Sequence, residues 1–158
     1  MPTLVWTGLD EPRMEIARVE VSGSNVRASG TQIGIAYELR YDLDGGVLEL
    51  EVVGERSARI GPGGADFVDL GFSPLTNSLP ILRDGLHLGG EPRDYVMALV
   101  DVPSLEVSES RQRYEPLGPG AVVFRSGDFS ATLELDGAFV AHYPDLARRA
   151  FPPPPGGS

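Results

Sequence analysis

The sequence predicts an all-β domain of mainly antiparallel strands, on three observations. Between Ile35 and Leu43 the apolar residues Ile35, Tyr37, Leu39, Tyr41 and Leu43 alternate with Ala36, Glu38, Arg40 and Asp42, the two-residue period of a strand with one buried face. Asp44-Gly45-Gly46 follows, hairpin chemistry in which glycine supplies positive φ, and Leu48, Leu50 and Val52 then alternate with Glu49 and Glu51 on the return. Further on, Phe129, Ala131, Leu133 and Leu135 share one face opposite Ser130, Thr132 and Glu134, between the turns Ser126-Gly127-Asp128 and Asp136-Gly137.

Taken from the N-terminus, Leu4-Val5-Trp6 make a short apolar strand that breaks at Gly8, and Asp10-Glu11-Pro12 reads as a turn. From Met14 to Val21 the apolar positions fall at 14 and 16, then at 19 and 21, so the phase slips near Ala17-Arg18 and predicts a bulge. Ser22-Gly23-Ser24-Asn25 turns the chain. Gly61-Pro62-Gly63-Gly64 is a flexible loop that lacks the lysine and following helix of a phosphate loop. Tyr95 to Val102 is apolar on both faces, which predicts an interior strand ended by Pro103. Leu105 and Val107 resume the alternation, Arg111 and Arg113 then share one face, and Ala121 to Arg125, Phe129 to Leu135 and Ala138 to His142 form a meander. Pro144 at a first helical position, Asp145 in a first turn and Arg148-Arg149 in a last turn predict a short C-terminal helix. The domain is expected over residues 1–151, with the Pro/Gly-rich residues 152–158 as a disordered tail.

Residues 65–83 stand apart. Asp69 lies between Val68 and Leu70, and a charge buried in an apolar run costs several kcal/mol unless it is paired or hydrogen-bonded. Arg83 or Arg113 is the expected partner. Pro74 and Pro80 bracket Leu75 to Leu79 and predict a rigid, kinked crossing rather than a helix. At its centre Thr76-Asn77-Ser78 either turn the backbone or present hydroxyls and an amide to a ligand.

Size and composition narrow the function. A chain of 158 residues can bury one core without a staple, and the absence of cysteine excludes disulfides, thiolate metal sites and a cysteine nucleophile. Thirteen basic against 23 acidic residues give a net charge of −10, which repels phosphate backbones and anionic membranes, so no nucleic-acid partner is expected. Lysine is absent, which removes Schiff-base chemistry. The N-terminus has no positive region followed by a long apolar stretch, and no run approaches the roughly 18 apolar residues of a membrane span. A cytoplasmic location without a transmembrane segment is expected.

His87 and His142 lack metal-ligand spacing, and Asp42 and Asp44 lack the remainder of a calcium loop. Gly71-Phe72-Ser73-Pro74-Leu75 begins like a nucleophile elbow but has no closing glycine and no expected helix after it. No cofactor, metal or catalytic residue is expected. What remains is a polar group of Asp69, Thr76, Asn77, Arg83, Arg111, Arg113 and Tyr114. Guanidinium forks suit carboxylate, phosphate and sugar oxygens; equally, Arg113 paired with Asp69 would fix the crossing segment and bind nothing.

At these residues the chain resembles the putative glycolipid-binding family, bacterial proteins formerly grouped as a domain of unknown function. The likeness runs through Trp6 and Gly8-Leu9, the Asp69 strand, Ser73-Pro74-Leu75-Thr76-Asn77-Ser78-Leu79-Pro80-Ile81, Val102-Pro103, Gln112-Arg113-Tyr114 and Tyr143-Pro144-Asp145-Leu146-Ala147-Arg148-Arg149. Thr-Asn-x-Leu-Pro-Ile followed at a distance by Gln-Arg-Tyr is its most specific part. The resemblance implies a single domain in which a long antiparallel sheet curls into a spiral β-roll with a concave face suited to a lipid. The chain departs from the family at Leu43-Asp44-Gly45, where tryptophan and arginine are common, and at Leu82, where a second arginine often precedes the one at Arg83.

The expected function is non-catalytic binding of a glycolipid or other amphiphilic lipid in the concave apolar face, with the seven polar residues as its ligand-binding group. A hydrolase-like enzyme using Asp69 and a protein-interaction module using the sheet face or edge are the alternatives. Unpaired edge strands leave monomer and homodimer both open.

Overall fold

Two-residue alternation is realised along most of the chain. The computed structural model describes residues 2–43, 48–54, 57–61, 63–102 and 104–155. The hairpin turn expected at Asp44-Gly45-Gly46, the strand end at Pro103 and the last three residues of the expected tail lie outside them. The strands are β1 (Thr3–Gly8), β2 (Met14–Ser22), β3 (Asn25–Gln32), β4 (Ile35–Asp42), β5 (Leu48–Val53), β6 (Ser57–Ile60), β7 (Phe67–Leu70), β8 (Arg93–Val100), β9 (Val107–Pro116), β10 (Ala121–Ser126), β11 (Phe129–Asp136), β12 (Phe139–Tyr143) and β13 (Ala147–Phe151), with one helix, α1 (Pro74–Asp84), between β7 and β8.

All thirteen described strands form one sheet in the order β6-β5-β4-β3-β2-β1-β13-β12-β11-β10-β9-β8-β7. Pairing is antiparallel throughout except between β7 and β8, which run parallel with α1 as their crossover. The chain therefore meanders outward from β1 to β6, jumps to the opposite edge at β7 and meanders back until β13 meets β1. That jump is short only because the sheet twists and curls until β7 approaches β5. Tyr41 on β4 meets Phe67 on β7 across this seam, with ring centroids 5.4 Å apart. The all-β curled roll expected from the sequence is the observed fold. Among the described residues no helix is long and apolar enough to cross a membrane.

Expectations at both ends of the chain are overturned. β2 carries no bulge: its register with β3 is unbroken from Glu15↔Gln32 to Ser22↔Asn25. Glu15, Ala17 and Val19 face inward while Met14, Ile16 and Arg18 face outward, so the apparent slip came from apolar residues on the outer face and an acid on the inner one. The irregularities fall instead at Val5/Trp6 and Glu134/Leu135. At the other end, residues 147–151 form a strand and not a helix. β13 has partners on both sides, β1 and β12, and it buries Arg149 against Asp136 and the Pro152 carbonyl, which accepts from Arg149 Nε at 2.8 Å. Two ladders outweigh the local helix signals at Pro144 and Asp145.

The helix lies where a kinked crossing was expected. Ser73 caps it, its Oγ accepting from Thr76 N at 3.2 Å; Pro74 starts it, and Gly85 ends it in the left-handed region at φ 66° with its N–H on Ile81 O. Pro80 inside the helix costs about 3 kcal/mol. Leu75, Leu79 and Ile81 are all fully buried and return roughly 1.5–3 kcal/mol each, so burial decides the conformation. The helix bonds side chains of β2, β7 and β9 and, through Ser78 Oγ, the backbone N–H of Val140 on β12, strands spread right round the sheet. It therefore occupies the interior of the roll.

Candidate functional site

The site is built outward from the N-terminal turn of α1, where two acids are buried. Glu15 on β2 accepts from Leu75 N (3.0 Å) through Oε1, and from Ser73 Oγ (2.6 Å) and Tyr37 Oη (2.9 Å) through Oε2. Burial pushes its carboxyl up to about 7; the three hydrogen bonds pull the other way, and the nearby Asp69 adds to the rise. Ser73, read in sequence as the start of a nucleophile elbow, is followed by a helix after all, but it is buried and its hydroxyl is engaged as cap and Glu15 donor.

Among the described residues Asp69 has no arginine partner, contrary to expectation. Its Oδ1 accepts from Thr76 Oγ1 and its Oδ2 from Gln112 Nε2, each at 2.9 Å. Burial holds its carboxyl above the usual range, against those two hydrogen bonds. Thr76 Oγ1 also accepts from Leu70 N at 3.2 Å, which ties the end of β7 to the first turn of the helix. One turn of helix places Asn77 beside this group. Its backbone carbonyl accepts from Tyr114 Oη at 3.3 Å, while its side-chain amide, in a residue only 7% exposed, makes no hydrogen bond among the described residues.

A cleft of about 490 Å³ opens beside these residues, lined among others by Asp69, Asn77, Gln112, Phe124, Phe129 and Tyr143. Leu99, Ser110, Phe124, Ser126 and Phe129, also in its wall, sit at positions that register places on the inner face of β8 to β11. The cleft is therefore the unfilled end of the roll's concave side. The rest of that side is occupied by α1 and by a row of rings, Phe67, Tyr95, Tyr114 and Phe124, with successive centroids 5.3–5.7 Å apart. Phe129 and Tyr143 stack at 6.3 Å with planes 21° apart. The Tyr143 hydroxyl, like the Asn77 amide, has no partner among the described residues, and Gln112 Oε1 is buried without one.

Of the seven residues singled out in the sequence, Asp69 and Asn77 line the cleft, and Thr76 and Tyr114 lie directly behind them. The three arginines are elsewhere. Arg83 is at the far end of α1, bonded to Asp84 (3.0 Å) with its guanidinium 4.5 Å from the Phe67 ring centroid. Arg111 and Arg113 point to the outer face, where Arg113 bonds Asp94 and Glu115 at 2.9 Å and Arg111 approaches Glu109 at 3.4 Å. Sequence reasoning missed Glu15, Gln112, Phe129 and Tyr143. Strand parity held the signal for Gln112: with Arg111 and Arg113 on one face, Gln112 and Tyr114 must take the other. For Glu15 the only cue was an acid in phase with the inward-facing Ala17 and Val19.

A curled single-sheet β-roll with an internal helix and an apolar-walled cleft at one end defines the class of protein. Within that class the chain belongs to the family described as putative glycolipid-binding, whose match spans residues 52–149, from the end of β5 to Arg149. The structure is also similar to the crystal structure of a DUF1089 family protein from Pseudomonas aeruginosa, with a TM-score of 0.68 and 22% sequence identity over 88% of this chain and 92% of that one; at that identity the likeness is one of fold. No curated protein matches the chain.

Proposed function

We propose that this protein binds a single-chain amphiphile, without chemical conversion, in the cleft at the open end of the roll. The observation that carries this reading is an apolar-walled space with an unsatisfied amide at its floor: small-molecule sites pair apolar walls with a few converging polar groups, and Asn77 offers a free donor and a free acceptor. The apolar chain lies along Phe124, Phe129, Tyr143 and Leu146, and the head reaches Asp69 and Asn77. Thr76 and Tyr114 act behind them by fixing Asp69 and the Asn77 backbone. A cleft of about 490 Å³ has room for an alkyl chain with its head at Asp69 and Asn77. Each buried methylene contributes about 0.8 kcal/mol.

Native mass spectrometry of gently purified protein, together with titration by a series of alkyl glycosides of increasing chain length, tests the proposal. Saturable binding that tightens with each methylene and weakens in Asn77→Ala is expected. No retained lipid and no binding of any alkyl glycoside would overturn it.

A further inference from the structure

The cleft's charge is one-sided. Asp10, Asp69, Asp101 and Asp145 line it, and among the described residues no arginine or histidine does. Arg13 answers Asp10 at 2.6 Å, but nothing basic answers the other three among the described residues. Among the described residues the Asp101 carboxylate accepts only from the Ser104 hydroxyl, the Asp69 carboxylate only from Thr76 and Gln112, and the Asp145 carboxylate makes no hydrogen bond or ion pair. A protein with a net charge of −10 adds to this field rather than relieving it.

Acidity alone would describe a solvated rim. The second observation is the unpartnered Asn77 amide, more than nine-tenths buried and lining the same floor. Beside it the Tyr143 hydroxyl and Gln112 Oε1 are also without partners. Asp69, Asn77 and Tyr143 thus bring oxygen acceptors to one small volume, with Gln112 Oε1 buried behind them. A phosphate or carboxylate head would meet carboxylates there with no cation to receive it, whereas an ammonium carries three donors and no acceptor. The rings of Phe124, Phe129 and Tyr143 suit the same charge, since a cation is attracted to an aromatic face.

From this arrangement we infer that the head of the bound amphiphile carries a protonated amine, as in a long-chain alkylamine or an amino-sugar lipid. The inference rests on the binding reading above and sharpens it to a ligand class. The ammonium sits between Asp69 and Asn77, its chain runs out past Phe129, and Asp145 at the rim favours its entry.

Isothermal titration of the full chain with n-octylammonium, octyl glucosaminide, octyl glucoside and octanoate, all below micelle formation, tests it. The two amine ligands are expected to bind at least tenfold more tightly than octyl glucoside, with octanoate weakest; comparing octylammonium with the glucosaminide tells a simple amine from an amino sugar. The amine advantage is expected to shrink at least threefold in Asp69→Asn and measurably in Asp145→Asn, an exposed position at which the fold is not at stake. Amines binding no more tightly than octyl glucoside, or an advantage untouched by both variants, would overturn the inference and leave the binding reading standing. Absence of binding by all four ligands would overturn both.

Discussion

Tyr37 donates its hydroxyl hydrogen bond to Glu15 at 2.9 Å across the bare flank of Gly30, its cross-strand partner. A Cβ at Gly30 would fall 2.6 Å from both Tyr37 Oη and Ile16 O, so the glycine is required by a close approach and not by backbone conformation. Gly30→Ala is expected to push the Tyr37 ring off Glu15 and to cost about 1–3 kcal/mol. Urea unfolding at neutral pH checks this; an unchanged midpoint would mean that the ring has room the structure does not show.

Glu15 makes the fold sensitive to pH in an uncommon direction. Its folded value of about 7 lies above the ordinary 4.5, so the folded state holds the proton more tightly than the unfolded chain. Its contribution to stability is complete below 4.5 and is lost as pH rises through about 7, amounting to roughly 3 kcal/mol. Asp69, also raised, acts with the same sign. Wild type is therefore expected to lose unfolding free energy between about pH 5 and 8, and Glu15→Gln, which keeps an acceptor for Leu75 N, to lose clearly less. Parallel pH profiles for the two proteins would contradict the assignment.

The hairpin between β3 and β4 turns at Ile33 and Gly34, both with positive φ (44° and 77°). Two-residue turns of this kind favour asparagine before glycine, and a β-branched residue there is strained. Ile33 is exposed and its side chain gains little from the position. Ile33→Asn is expected to raise stability by about 0.5–1 kcal/mol, read as a higher midpoint of thermal unfolding; a lower one would show that Ile33 packs usefully against Val53.

Phe129 is 49% exposed and stacks on Tyr143 at the cleft wall. Truncation to alanine removes ligand contact more than core. Binding of octyl glucoside is expected to weaken roughly threefold to tenfold, the equivalent of about 0.5–1.5 kcal/mol of aromatic contact, with unfolding free energy changed by about 0.5 kcal/mol or less. Equal affinity in the two proteins would move the ligand away from this wall.

Where the sheet buries one face and wets the other, alternation made the fold legible: β4 and the inward positions of β11 read directly from Ile35 to Leu43 and from Phe129 to Leu135. It failed where burial is long-range. Pro80 marked a break, yet burial inside the roll favours a helix there; Ser73, Pro74 and Gly85 did mark its two ends, but the second proline outweighed them in the reading. The site was half legible for the same reason. Asp69 and Asn77 stood out as polar residues in apolar company and do line the cleft, whereas the arginines stood out by charge alone: Arg111 and Arg113 went to carboxylates on the outer face and Arg83 to Asp84 at the end of α1. Gln112 was passed over beside Arg113, although parity sends it inward.

β1 pairs with β2 on one side and with β13 on the other, and Trp6 donates its indole N–H to the Val140 carbonyl at 2.7 Å. A nascent chain leaving the ribosome can zip the meander from β1 to β6 early, but the second flank of its first strand stays bare until Phe151 has emerged. Closure therefore waits for β13, and a sheet without that strand would keep a naked, adhesive margin on β1.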